Sequence, residues 1–245
     1  MWGMPGTFKT EAVVLRSIRY GEADRVLHLY SAEHGRVGAV AKGARRMRSR
    51  LGGRLEPMAR VNLVLHAGRG ELCTVTAADT VHAHPALRER RASLERGVQA
   101  CEAVLRLLDS AEPNRAAYNL LCNQLGLLDS RAGAATRAQA LTFRAKLLLA
   151  AGFAPELASC ATCGEREDLT GFSPAAGGVV CASCEAGSFP LGAEGHAFLV
   201  GALAQPLSEA PEASDRALAQ ADRALAETLE HHAHVRLPRV AAEPV

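Results

Sequence analysis

Four cysteines constrain this chain more than any other group of residues. "CATCGE" and "CASCEA" set Cys160, Cys163, Cys181 and Cys184 in the pattern C-x2-C-x17-C-x2-C. Two residues between ligands let one tight turn aim both sulfurs at a single ion, and two such turns complete a tetrahedron. Gly164, directly after the first pair, suits the sharp backbone of a metal knuckle. Between the pairs, Leu169, Phe172, Val179 and Val180 are nearly all the chain offers for a core. A lobe this small, over residues 153–190, is expected to depend on one structural zinc ion. The apparent binding energy of such an ion, ~10–16 kcal/mol, would dominate its stability. Four sulfur ligands leave no open coordination position, so the zinc is expected to hold structure and not to catalyse.

The other cysteines fit the same picture. Seven in all is an odd number, and the start "MWGMPGTFKTE" has no apolar core of a secretory leader. A reducing cytoplasm and a metal site are expected, in preference to a disulfide framework. Cys73, Cys101 and Cys122 sit at apolar positions and read as small core residues. No stretch approaches the ~18 uncharged apolar residues that a membrane span needs.

Residues 8–80 read as β. "FKTEAVVLRSI", "DRVLHLYS", "RVGAVAKGA", "ARVNLVLHAG" and "ELCTVTAAD" are short aliphatic or β-branched runs separated by turn chemistry. Five strands are too few for a sandwich but fit a small closed barrel of the OB type. After "HAHP", where His82 and His84 are read as capping the passage out of the barrel, the period becomes helical. Leu87, Leu94, Val98, Cys101, Leu105 and Leu108 carry it from about 86 to 109. A second helix follows over "EPNRAAYNLLCNQLGLLDS", and a third runs to a cap at Gly152; two more are expected at 193–205 and 214–232. The fold class is therefore α+β and multidomain. A barrel spans 1–82, a helical domain spans 83–152 and 191–237, the zinc lobe is inserted at 153–190, and a tail at 238–245 is expected to fray.

Charge is distributed unevenly. The net charge is +2, yet residues 1–80 balance at +6 and the remainder at −4. "KGARRMRSR" places Lys42, Arg45, Arg46, Arg48 and Arg50 at the end of the third expected strand without one acid. Such cations repel one another unless an anion neutralises them, so a folded monomer gains nothing from the run; a polyanion does. Arg16, Arg19, Arg25, Arg36, Arg54 and Arg60 lie in the same segment, and Arg88, Arg90, Arg91 and Arg96 open the first helix. Arg88 and Arg91 are three apart and are expected to share a face. Of the aromatics Phe8, Tyr20 and Tyr30, at least one is expected in the core. Few stacking platforms and many cations predict binding led by the phosphate backbone, strongly dependent on salt.

The order barrel, helices, four-cysteine lobe, last helices resembles the RecO recombination-mediator family. "FKTEAVVLRSIRYGEADRVLHLYSAEHGRVGAVAKGARR" is similar to that family's N-terminal signature, and "CATCG" with the second pair is similar to its zinc lobe. The resemblance implies binding of single- and double-stranded DNA and annealing of complementary strands. It also implies action with a partner, RecR, in loading recombinase during repair, without nucleotide hydrolysis. A contact with the acidic tail of single-strand-binding protein and a cytoplasmic, nucleoid-associated location follow as expectations. Lys42, Arg45, Arg46, Arg48, Arg50, Arg19, Arg25, Arg88, Arg90 and Arg91 are the DNA-binding candidates, and no residue is assigned a catalytic role. An enzyme is disfavoured because the phosphate-loop, H-E-x-x-H and G-x-S-x-G motifs are missing, and carboxylates that would hold magnesium for a nuclease are not clustered. An RNA-binding module of translation or ribosome biogenesis is the other reading. The histidines His231, His232 and His234 read as a solvated cluster.

Overall fold

The computed structural model describes residues 6–68 and 70–241. The chain divides into two compact units, Met1–Ala132 and Gly133–Val245.

In the first unit, β1 (Gly6–Tyr20), β2 (Asp24–Ser31), β3 (Gly35–Ala41), β4 (Arg60–Ala67) and β5 (Cys73–His82) close into a barrel of order β1-β2-β3-β5-β4. Closure depends on β1. Its first half pairs with β4 and its second half with β2, and an irregularity between Val14 and Arg16 bends the strand from one partner to the other. The parallel pair β3–β5 completes the ring. This is the five-stranded OB arrangement expected from the strand count. Alternation is strict in β3, where Val37, Ala39 and Ala41 face inward with Leu27, Leu29, Val61, Leu63 and Leu65. Gly35 makes the tight β2–β3 turn at a φ of 57°, and a Cβ there would lie 2.2 Å from the Glu112 carbonyl oxygen. Replacing Gly35 with Ala should cost about 1–3 kcal/mol, read as a lower thermal midpoint of the first unit.

Helices α1 (Pro85–Glu89), α2 (Arg91–Leu107) and α3 (Arg115–Ser130) complete this unit. The sequence period suggested one helix from 86 to 109; the backbone instead turns extended at Arg90. There the Arg90 guanidinium donates to the Ala86 carbonyl at 2.9 Å, to that of Leu128 at 2.8 Å and to that of Asp129. It satisfies carbonyls of two helix ends that would otherwise be orphaned. Leu87 N donates to Asp129 Oδ1, and Tyr118 Oη to Glu11 Oε1 at 2.6 Å, so α1 and α3 are bound to each other and to β1.

The second unit holds α4 (Arg137–Ala150), β6 (Leu169–Ser173), β7 (Gly178–Cys181), β8 (Phe189–Pro190), α5 (Ala193–Ala204) and α6 (Asp215–Thr228). Thr136 and Ser214 cap α4 and α6, and Gly152, at φ 82°, ends α4 as its position predicted. This partition differs from a single helical domain over 83–152 and 191–237, because α1–α3 pack with the barrel in one compact unit.

The tail is a correction. Arg144 donates to Asp222 at 3.0 Å and to the Pro238 carbonyl at 2.8 Å, while Val240 N donates to Asp222 at 3.3 Å and its side chain is buried. A buried ion pair thus latches residues 238–240, which were expected to fray; residues 242–245 lie outside the described residues. The Arg144 and Asp222 side chains are 7 % and 3 % exposed. Burial lifts the Asp222 carboxyl above its usual range, against the pull of Arg144 and Arg239. Arg144→Ala leaves that carboxyl unpaired and should cost about 3–5 kcal/mol, measured by urea unfolding, with release of the tail seen as faster exchange of the Val240 amide.

Candidate nucleic-acid interface and metal centre

The cationic run is a built loop. Ala44 inserts into the barrel core, Gly43 N donates to Asp24 Oδ1 at 2.7 Å, and Arg45 N donates to the Ala23 carbonyl at 2.8 Å. These bonds tie the loop to the β1–β2 turn at one end of the barrel. With Ala44 pointing inward, Lys42, Arg45, Arg46, Met47, Arg48 and Arg50 are all exposed. Arg45 makes one side-chain bond, 3.3 Å to the Gly21 carbonyl. Among the described residues, no side-chain bond or ion pair engages Arg19, Lys42, Arg46, Arg48 or Arg50. Six exposed cations, Arg19 included, therefore share this end without a counter-ion.

The remaining candidates separate from them. Arg25 bonds Ser17 at 3.1 Å and pairs with Glu56 at 2.9 Å. Arg88 turns back to the carbonyls of Ala83 and Pro57, and Arg90 forms the joint already described. Arg88 and Arg91 do not share a helical face, because the break at Arg90 places them on different helices. Arg91 is exposed and, among the described residues, paired only with Glu95, an i,i+4 pair of the kind worth little in water and easily exchanged for a phosphate. Arg16, Arg36, Arg54 and Arg60 are likewise engaged, with Glu102, the Leu105 carbonyl, the Ala78 carbonyl and Glu11 respectively. Much of the positive charge of the first eighty residues is thus engaged by the fold, and among the described residues most of what is left lies in the loop, with Lys9 and Arg19 exposed outside it.

A neighbouring apolar face carries no signal in the sequence pattern. On the outside of β1–β2–β3 the register sets Ile18 opposite Val26 and Val26 opposite Val40. Tyr20 follows two residues after Ile18 on the same side, and Leu72, from the β4–β5 connection, lies against Gly38, whose Cβ would come within 2.6 Å of it. Tyr20 is 60 % exposed and Ile18 43 %. Tyr30 is the core aromatic, and Phe8 packs against the barrel interior. On the β1–β4–β5 side, by contrast, a cavity of about 510 Å³ is lined by Glu11, Glu33 and Asp79 with Lys9, a surface unsuited to phosphates.

The four cysteines of the second unit converge as their spacing predicted. Their Sγ atoms all lie within 4.8 Å of one another, and Cys163 and Cys181 are 3.7 Å apart. A zinc–sulfur bond of ~2.3 Å gives tetrahedron edges of about 3.8 Å, so the set fits one such ion without a disulfide. Each pair sits on a knuckle: Gly164 N donates to the Cys160 carbonyl at 2.8 Å with φ 82°, and Ala182–Cys184 forms a single tight turn. The backbone N–H of Cys181 favours the Cys160 thiolate and lowers its pKa to about 6, whereas the crowded sulfur of Cys163 pushes Cys184 up to about 12. The lobe also has more support than the sequence suggested: Phe189 packs 5.6 Å from Phe172, Arg223 of α6 sits 3.9 Å over Phe189, and His196 bonds the Leu157 carbonyl. Arg166 is exposed among Glu165, Glu167 and Asp168. His231, His232 and His234 are at the surface, and His232 bonds the Pro174 carbonyl.

Comparison with known proteins meets this geometry at both units. The family model described as Recombination protein O N terminal matches residues 4–84, and Recombination protein O C terminal matches residues 97–240. The chain is 39 % identical to the DNA repair protein RecO of Rubrobacter xylanophilus, over 88 % of each chain. It is 37 % identical to that of Cutibacterium acnes, over 73 % of this chain and 74 % of the relative, and 36 % identical to that of Anaeromyxobacter sp., over 94 % and 92 %. No helix among the described residues is long and apolar enough to cross a membrane. A five-stranded barrel with a cationic end, followed by helices that enclose a four-cysteine lobe, is thus matched along nearly its whole length, and the chain belongs to the RecO family of recombination proteins.

Proposed function

We propose that this protein binds single- and double-stranded DNA through the exposed cations of its first unit, anneals complementary strands, and acts with RecR to help load recombinase in DNA repair. The observation that carries the reading is the anchored loop with Lys42, Arg45, Arg46, Arg48 and Arg50 turned outward. Arg19 and Arg91 extend it, while Arg25, Arg88 and Arg90 are assigned to the fold. Two complementary strands repel through their phosphates. Side chains that screen those phosphates and leave base edges free let pairing nucleate, and pairing itself supplies the driving force. No bond is made or broken, so the protein acts without catalysis.

In the second unit Cys160, Cys163, Cys181 and Cys184 would hold one zinc ion, which supplies a fixed tetrahedral cross-link and no reactive position. RecR and the acidic tail of single-strand-binding protein are the proposed protein partners, and the cytoplasm, at the nucleoid, the proposed location. The test is a fluorescence annealing assay, with binding of DNA and RNA of matched length at two salt concentrations. Five neutralised phosphates on a single strand give a slope of log K against log salt of about −3.5, so a fourfold rise in salt should weaken binding roughly a hundredfold. A preference for structured RNA over DNA would overturn the reading.

A further inference from the structure

We propose that Cys163 is a site of oxidative modification, which reacts with hydrogen peroxide and is then joined by Cys181 in a disulfide that releases the metal and loosens the lobe. This rests on the reading of the four cysteines as one zinc site and is independent of the DNA reading. The seven cysteines differ in what can reach them. Cys73, Cys101, Cys160 and Cys181 are buried, Cys122 and Cys184 are half-buried, and among the described residues Cys163 is the one exposed cysteine. The knuckle explains the difference. Cys160 N donates to the Glu165 carbonyl at 2.6 Å and Ala161 N to that of Val179 at 2.8 Å, which holds the start of the turn inward against β7. Cys163 is left at the outer corner, and the space beside the next residue, Gly164, is open.

Reactivity follows the same division. A thiolate, not a thiol, attacks peroxide. Burial pushes the Cys101 thiol up to about 12 and raises those of Cys73 and Cys122, so none of the three offers a thiolate near neutrality. Ligands of a zinc ion are deprotonated, and of the four here only Cys163 meets solvent freely. Glu165, Glu167 and Asp168 are exposed just after it with one cation, Arg166. They disfavour anionic oxidants such as glutathione disulfide and leave a small neutral hydroperoxide unopposed. In the first step the Cys163 thiolate attacks one peroxide oxygen, the O–O bond breaks, and hydroxide leaves from a sulfenic acid. In the second the Cys181 sulfur, 3.7 Å away, attacks that of Cys163; the S–S bond forms, the S–O bond breaks and a second hydroxide leaves. Two thiolates have given up two electrons, the peroxide has taken them, and two protons from solvent turn the hydroxides into water. Cys160 and Cys184 alone cannot complete a tetrahedron. The oxidised lobe keeps one cross-link in place of four bonds to an ion, while the cationic loop of the first unit is untouched.

The zinc-loaded full-length chain would be treated with hydrogen peroxide, with metal release followed by a chromogenic chelator. Dimedone would trap sulfenic acid for mapping by mass spectrometry. One ion per chain should be released, the first adduct should fall on Cys163, and without dimedone the disulfide should join Cys163 to Cys181. Hydrogen-exchange protection should be lost over residues 153–190 and kept in the barrel, and dithiothreitol with added zinc should restore it. Cys163→Ser should slow the release at least tenfold; should that variant hold no metal, the mapping on the wild-type chain decides by itself. Met47, fully exposed, serves as an internal gauge of oxidation. Metal retained while Met47 becomes its sulfoxide would overturn the proposal, as would a first adduct on any other cysteine or equally fast release from Cys163→Ser. A disulfide from Cys163 to another partner would overturn the role of Cys181. A wild-type chain that binds no zinc before treatment would defeat the zinc reading itself, a result distinct from the others.

Discussion

Removing the metal is expected to unfold residues 153–190 while the barrel unit stays folded. Around the four sulfurs the apolar support is Val180 with half-buried Leu169. Away from them, Phe172 and Phe189 pack together and Arg223 covers Phe189. A cation–π contact of this kind contributes ~0.5–2 kcal/mol, against ~10–16 kcal/mol for a structural zinc site. The metal term decides the outcome. A chelator, or Cys160→Ser with Cys181→Ser, should abolish amide protection across the lobe in hydrogen exchange and release one ion per chain. Each ligand must be deprotonated to bind, so metal affinity should fall steeply as the pH is lowered from neutral. DNA binding should persist, since the cationic loop lies in the first unit. Protection over 153–190 that survives complete metal removal would refute the structural role.

Reversing Arg45 and Arg46 to Glu should abolish annealing and flatten the salt dependence. With three cations left to neutralise phosphates instead of five, the slope falls from about −3.5 to about −2.1. The difference is roughly 25-fold in affinity for each tenfold dilution of salt, before the repulsion of the new carboxylates is added. The fold should tolerate the change, because the loop is anchored by backbone groups and by Ala44. The one side-chain bond removed, from Arg45 to Gly21, is worth about 0.5–1.5 kcal/mol. Arg90→Glu provides the contrast: it strips donors from the carbonyls of Leu128 and Asp129 and should lower stability without selectively lowering DNA affinity. Annealing that proceeds normally in the doubly reversed protein would exclude the loop from the mechanism.

Much of the fold and of the site is legible in the amino-acid order, for identifiable reasons. Period-two alternation in "RVGAVA" and turn residues between short runs mark the strands. The C-x2-C pairs mark the metal knuckles, because two residues between ligands permit few backbone paths. Gly152 marks a helix end through its tolerance of positive φ. The break at Arg90 is hidden because apolar spacing continues through it, and what ends α1 there is a set of bonds to carbonyls forty residues away. The docked tail is hidden for a similar reason: no local pattern at 238–240 announces Arg144 and Asp222.

The sequence alone determined that strands precede helices, that four sulfurs can meet at one ion, and that cations concentrate at 42–50, since these depend on neighbours along the chain. Which of the arginines face water was decided only by the tertiary structure. Arg25, Arg88 and Arg90 resemble Arg45 and Arg46 in composition and position, yet they lie where carbonyls or a carboxylate from distant segments take up their donors, while Ala44 buries itself and turns its neighbours outward. A charge is free or committed according to what packing brings within about 3 Å of it, and that distance is set by the closed barrel and its helices.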